Sequence, residues 1–225
     1  MALSVTRQAI HRQSRTQKNL TSLRRLIEKM NDEWEIIAAL EANGLSKRRR
    51  RALLLKLRQV STERSIDVLR ANLRSKDVKS QVRTIFALAH IGTEEAADAL
   101  IDSFAMTTGP GFTFAVKSLA EDHAARSRPA FIRTLEERRD ELNQGDKQIL
   151  VWALYKVPHR SEVPVLATLL GERSRSTRRM AAVALAQIKA TESREALEEA
   201  ARSLSWLRGL QARRALRLLQ YVSGE

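Results

Sequence analysis

Four histidines, a glycine-rich turn, a tryptophan–tyrosine pair and several dense arginine runs are where chemistry could reside in this 225-residue sequence. The histidines stand as His11-Arg12, His90-Ile91, His123-Ala124 and His159-Arg160, and no two have the close spacing of a helical metal site. His90 reads as a solvated or hydrogen-bonded helix residue. The chain contains no cysteine, so thiolate metal sites, disulfides and thiol nucleophiles are excluded. The run TTGPGFT at 107–113 lacks the lysine of a phosphate loop and follows no strand pattern. It reads as a turn, with Pro110 opening the next helix. No catalytic, metal or cofactor constellation emerges, and we expect a protein that is not an enzyme.

The arginines are the stronger signal. The net charge is +14, which points to an anionic partner: nucleic acid, an acidic protein or a membrane surface. Arginine's planar fork suits bidentate contact with phosphate or carboxylate. SKRRRRALLLKLRQVS at 46–61 sets Arg48, Arg49, Arg50 and Arg51 directly against a leucine run. Arg175, Arg178 and Arg179, then Arg213, Arg214 and Arg217, form comparable groups downstream.

These residues must be positioned by helices. Aromatic residues are 4% of the chain, with 8 glycines and 4 prolines, a composition that favours long helices over strands. Leu57, Leu88 and Leu119 are spaced by 31, as are Leu154, Leu185 and Leu216, with one step of 35 between the two sets. Leu69, Leu100, Phe131, Leu166 and Leu197 follow twelve residues behind, and Leu73, Phe104, Leu135, Leu170 and Ala201 sixteen behind. Three residues after the anchors stand Val60, Ile91, Val157, Ile188 and Leu219. Each unit therefore holds two amphipathic helices, with apolar residues at spacings of three and four.

Ser61-Thr62-Glu63, Thr93-Glu94-Glu95, Ser161-Glu162 and Thr191-Glu192 place a hydroxyl and then an acid at expected helix starts. Pro129 and Pro164 fall early in their expected helices. The four extra residues lie in EERRDELNQGDKQ at 136–148, a longer or kinked connection. No unit can bury its stripe alone, so the units must stack.

TRRMAAVALAQIKATESREALEEA at 177–200 and VRTIFALAHIGTEEAADALI at 82–101 resemble HEAT-like repeats of the short type named after phycobilisome lyases. The resemblance covers roughly residues 46–222 and implies an all-α, right-handed α-α superhelix, an α-solenoid of about six repeats. It also implies that the helix carrying the Arg-Ala-Ala-Leu pattern lines the concave side. The small residues Ala87, Ser118, Ala153, Ala184 and Ala215 beside the anchor leucines agree, because helices on the inside of an arc crowd their neighbours. Such repeats serve scaffolds, lyases, hydroxylases and DNA glycosylases alike. No histidine here is followed by glutamate, which removes the iron-holding pairs of the related deoxyhypusine hydroxylases. The tryptophans and aspartate of the HEAT-like alkylpurine DNA glycosylases find no matching set, and no bilin-lyase site is recognisable.

Over the six segments expected to line the inner side, 46–60, 77–92, 109–122, 145–157, 174–189 and 205–222, twenty basic residues stand against four acids, Asp77, Glu121, Asp122 and Asp146, a net +16 that leaves −2 for the rest of the chain. We expect a binding scaffold whose basic concave face uses Arg48 to Arg51, Arg83, Lys117, Lys147, Trp152, Tyr155, Lys156, Arg175, Arg178, Arg179, Arg213, Arg214 and Arg217. Arg50 and Arg178 carry a second reading, as arginines bonded to a neighbouring repeat. Trp152 and Tyr155 likewise read either as a stacking platform or as packing between repeats. An acidic or amphipathic protein segment is the first expected partner, and a nucleic-acid backbone the alternative.

Residues 1–19 read as a basic arm, 20–45 as a degenerate capping repeat and 46–225 as the solenoid. The acid-free stretch 1–27 also fits a mitochondrial transit peptide; against that alternative, the expected location is cytoplasmic. Apolar runs are too short for membrane insertion.

Overall fold

The anchor leucines organise the protein as their spacing requires. The computed structural model describes residues 27, 30, 32–42, 45–75, 77–203 and 206–223. Leu57, Leu88, Leu119, Leu154 and Leu185 are all buried, as are Leu69, Leu100, Phe131, Leu166 and Leu197. Twelve α-helices and no strand form among the described residues. They are α1 (Glu33–Glu41), α2 (Lys47–Val60), α3 (Glu63–Asn72), α4 (Val78–Ile91), α5 (Glu94–Asp102) and α6 (Gly109–Asp122). There follow α7 (Ala124–Glu137), α8 (Gln144–Lys156), α9 (Val163–Leu169), α10 (Arg175–Ile188), α11 (Thr191–Ser203) and α12 (Trp206–Ser223). The molecule is an α-solenoid of paired helices.

The chain forms two compact units, divided in sequence between Ala96 and Ala97. In the first, α2 packs on α4, α3 packs on α4, and α1 packs on both α2 and α4. The described part of the expected capping repeat thus joins the repeats through α1, whose Ile36, Ile37 and Leu40 are buried. The expected arm at 1–19 lies outside the described residues. In the second unit, α6, α8, α10 and α12 form one row, each packed on the next, while α7, α9 and α11 form the other. Phe104 and Phe131 stack at 5.8 Å between ring centroids, and Phe112 joins them at 5.1 Å from Phe104.

Local chemistry sets the helix ends. The Ser46 and Ser174 side chains accept from the amides of Arg49 and Thr177, both at 3.3 Å, and Asp77 caps α4 through Lys79 and Ser80. Thr62 and Ser65 form a capping box at α3, and Thr93 accepts from the Ala96 amide. Two expected starts differ. Ser161 and Glu162 lie in a 3-10 turn capped by His159, and Thr191 is already inside α11. Pro129 also differs, sitting in the interior of α7, because that helix begins directly after His123, which closes α6 and opens α7.

Within the glycine-rich run Thr107 and Thr108 form the turn, and Gly109 to Thr113 already begin α6, with Pro110 in its first turn. Gly109 has φ +71°, a conformation that strongly favours glycine, and its amide donates to both carboxylate oxygens of the buried Asp146 at 3.1 Å. Burial raises the Asp146 pKa, against the lowering effects of the Gly109 amide and the Arg138 charge. Asn143 completes the link: its Oδ1 caps α8 at the Asp146 amide, and its Nδ2 donates to the Asp146 carboxylate at 2.6 Å. Asn143→Ala removes both bonds and is expected to cost about 1 kcal/mol, read as a lower urea midpoint. An unchanged midpoint would show that Asn143 does not hold the turn.

Candidate partner-binding surface

Whether a helix residue is offered to solvent depends on its angle from the anchor leucine. Residues seven back lie two turns away, on the buried stripe itself. They are Arg50, Gln81, Phe112, Lys147, Arg178 and Gly209. Here several polar side chains satisfy the carbonyls left open where second-row helices end. Gln81 Nε2 donates to the Leu73 carbonyl at 3.0 Å. Arg178 Nη1 donates to the carbonyls of Glu172 and Arg173 at 2.7 and 2.8 Å. Arg138 similarly donates to the Phe104 carbonyl.

At Gly209 a side chain would come within 3.0 Å of both the Ala200 carbonyl and the Arg213 guanidinium. The space goes to Arg213, whose Nη1 donates to the Ala201 carbonyl at 2.6 Å.

Three of the expected contact residues are bonded within the fold, and for Arg178 this matches its second reading. Lys147 and Arg178 are buried, and Lys147 Nζ pairs with Glu172 Oε1 at 3.1 Å. Arg213 is half-buried on its carbonyl. The seven-residue offset turns Lys147 and Arg178 toward the core, and Arg213, three before its anchor, folds over Gly209. Arg50 and Arg83 are half-buried on α2 and α4 of the first unit.

The remaining cations are outward. Arg48, Arg49 and Arg51 are exposed on α2 of the first unit. In the second, Lys117, Lys156, Arg175, Arg179, Arg214 and Arg217 are exposed. Among the described residues, no carboxylate lies within ion-pairing distance of Arg175, Arg179, Arg214 or Arg217. The helices α8, α10 and α12 carry one acid between them, the buried Asp146.

Apolar groups share this surface. Residues two before the anchor are Leu55, Phe86, Lys117, Trp152, Val183 and Arg214, roughly 200° around the helix from the buried leucine. Leu55 is 53% exposed, Val183 and Tyr155 37%, and Leu218 58%. Trp152 is half-buried, with Lys156 Nζ 5.7 Å from its ring centroid, a cation–π contact that covers part of the face. Trp152 therefore serves both packing and surface. The sequence reading missed Leu55, Val183 and Leu218. Their shared register with Trp152, or with its neighbour Lys156, was the available signal.

His90 is held in its helix by Nδ1 at 2.8 Å from the Phe86 carbonyl. Among the described residues, no cluster of three or more His, Asp or Glu side chains could hold a metal ion, and no helix is long and apolar enough to cross a membrane.

A family model described as PBS lyase HEAT-like repeat matches residues 81–105 and 177–203, which hold α4 with α5 and α10 with α11. No curated protein matches the chain. Among solved structures, an engineered protein is 20% identical with a TM-score of 0.44, over 85% of this chain and 98% of that one. The complex of CpcE and CpcF of phycocyanin lyase from Nostoc sp. PCC7120 is 18% identical with a TM-score of 0.35, over 82% and 80%. The helix pairing itself, not these likenesses, defines the fold. With its leucine lattice and its paired helices, the chain carries HEAT-like repeats at the two matched places.

Proposed function

We propose that the protein is a non-catalytic repeat scaffold that docks an acidic, amphipathic protein segment on the solvent side of α8, α10 and α12. One observation carries this reading. On three successively packed helices, exposed cations (Lys156, Arg179, Arg214, Arg217) alternate with exposed apolar groups (Tyr155, Val183, Leu218), and no exposed acid is present. A helix or strand with carboxylates on one edge and aliphatic groups on the other complements such a surface. The arginines supply charge steering, and Tyr155 and Trp152 supply the amphipathic area common at binding hot spots.

A second reading has its own support. Arg175 and Arg179 are one helical turn apart on α10, Arg214 and Arg217 are nearly so on α12, and these helices pack together. That spacing also suits the phosphates of a nucleic-acid backbone.

The two readings differ in what salt does. Reversing Arg175, Arg179, Arg214 and Arg217 to glutamate is expected to weaken a glutamate- and leucine-rich peptide at least a hundredfold. A peptide of equal charge without the leucines should bind on the order of tenfold more weakly than the parent. A short DNA duplex binding through four phosphates would lose affinity with a log–log salt slope of about −3.6. If duplex binds with that slope while both peptides fail, the surface is a nucleic-acid site. If neither probe binds at low salt, the scaffold reading is wrong.

A further inference from the structure

In the second unit, the connection from α7 to α8 and the connection from α9 to α10 border an open cavity of about 460 Å³. Its volume is that of a small-molecule site, but every lining residue except Gly171 is polar. Arg139, Gln144, Lys147 and Arg173 bring donors to it, and Asp140 and Glu172 bring carboxylates.

Most of those donors are unused. Arg139 is half-buried, and its contacts to Asp140 and Glu172 run through Nε at 3.9 and 4.0 Å, too long for hydrogen bonds. Arg173 is exposed, and its guanidinium has no acceptor among the described residues. Gln144 Oε1 accepts from Thr177 Oγ1 at 3.0 Å, which leaves its Nε2 N–H groups without an acceptor there. The buried Lys147 donates to Glu172 Oε1 at 3.1 Å and so fixes that carboxylate in the wall. Arg139, Gln144 and Arg173 all keep solvent exposure, so a molecule in the cavity can reach them.

Charge decides the class of ligand. The Asp140 side chain is 96% exposed, and water screens its charge. The remaining set, Arg139, Lys147 and Arg173 against Glu172, carries a net +2. Gln144 is the first residue of α8 and Arg173 stands two before α10, so the positive ends of two helices add to the field. A carboxylate or a phosphodiester would leave part of that charge unmatched. A phosphate monoester carries about −1.5 to −2 near pH 7 and offers three acceptor oxygens to the unused donors.

We infer that this pocket binds a phosphate monoester through Arg139, Gln144 and Arg173, with the Lys147–Glu172 pair forming its wall. It shares no residue with the scaffold surface and does not rest on that reading.

Calorimetric titration of the full chain tests the pocket with three probes. They are N-acetyl-O-phosphoserinamide, the same compound without its phosphate, and a peptide of glycines and serines carrying one phosphoserine. Both phosphate probes should saturate, and the unphosphorylated compound should not bind. Arg139→Gln and Arg173→Gln remove forks that hydrogen-bond nothing in the fold. Each should weaken the phosphate probes on the order of tenfold at an unchanged urea midpoint. Thr168→Glu sets a carboxylate at the cavity wall and should abolish binding, so a folding defect in one variant leaves the others decisive.

A peptide that binds on the order of tenfold tighter than the small probe identifies a phosphorylated protein segment as the source. Equal affinities identify a small phosphate ester. Binding unchanged in all three variants would put the phosphate on another cationic surface and overturn the pocket. So would the absence of saturable binding by either phosphate probe at low salt. The scaffold reading is judged separately, by the glutamate- and leucine-rich peptide, which carries no phosphate.

Discussion

Arg178→Ala is expected to destabilise the protein by about 3 kcal/mol while leaving its affinity for an acidic peptide within twofold. The guanidinium is buried and serves the carbonyls of Glu172 and Arg173, which follow α9. Removing it leaves two acceptors without their donor, each worth about 1–3 kcal/mol when buried. Lysine keeps the charge but lacks the fork, so Arg178→Lys should recover only part of the loss. Arg179, one residue on and exposed, should behave in the opposite way: Arg179→Ala leaves the urea midpoint nearly unchanged and weakens the peptide. A tenfold loss of affinity in Arg178→Ala at an unchanged midpoint would make Arg178 a contact residue and undo the carbonyl-satisfying role.

The fold was readable because one residue type recurs at one spacing. Leu57, Leu88, Leu119, Leu154 and Leu185 are the buried side of first-row helices, and a 31-residue period with a second stripe admits little besides stacked helix pairs. Even the four-residue slip proved to be the six-residue connection between Glu137 and Gln144, anchored by the Arg138–Glu141 pair at 3.0 Å. Deviations arose where a local rule competed with packing. Val157 occupies an anchor-row position yet is 42% exposed, because α8 ends at Lys156 and the chain turns out of the helix there. Pro129 suggested a helix start, but α7 absorbs it one turn further in.

The surface was harder to read than the fold, for a geometric reason. Charge counting treats every arginine on a helix alike, whereas a helix assigns each position an angle. Arg178 and Arg179 differ by 100° and have opposite fates, buried donor and exposed cation. Applying the leucine register to polar residues, rather than only to apolar ones, separates Lys147 and Arg178 from Arg175 and Arg179. Long-range polar pairs leave no such periodic trace. Glu162 resembled a helix-start acid, and nothing in its local sequence points to Arg128, 34 residues earlier.

That pair sets the protein's expected pH response. Glu162 is fully buried, its Oε1 accepts from Arg128 Nε at 3.0 Å, and its Oε2 has no hydrogen-bond partner among the described residues. Arg128 Nη2 also donates to the Val157 carbonyl at 3.1 Å, so one guanidinium joins α7, the end of α8 and the turn before α9. Burial pushes the Glu162 carboxyl up from 4.5 to about 7, opposed by the His159 amide and by the charge and hydrogen bond of Arg128. The folded state therefore holds this proton more tightly than the unfolded chain. Its contribution to stability is fully present below about pH 4.5 and is lost as pH rises through about 7, a change of roughly 3 kcal/mol.

Glu162→Gln should flatten that component of the stability–pH curve. Arg128→Met should cost about 3–5 kcal/mol at pH 8, where it leaves a buried carboxylate unpaired. At pH 5 Glu162 is protonated in the folded state, and the cost should fall to about 1–2 kcal/mol, mostly the abandoned Val157 carbonyl. Urea denaturation of the two variants and the parent at both pH values measures these differences. Equal cost of Arg128→Met at pH 5 and pH 8 would mean that Glu162 does not change protonation across that range.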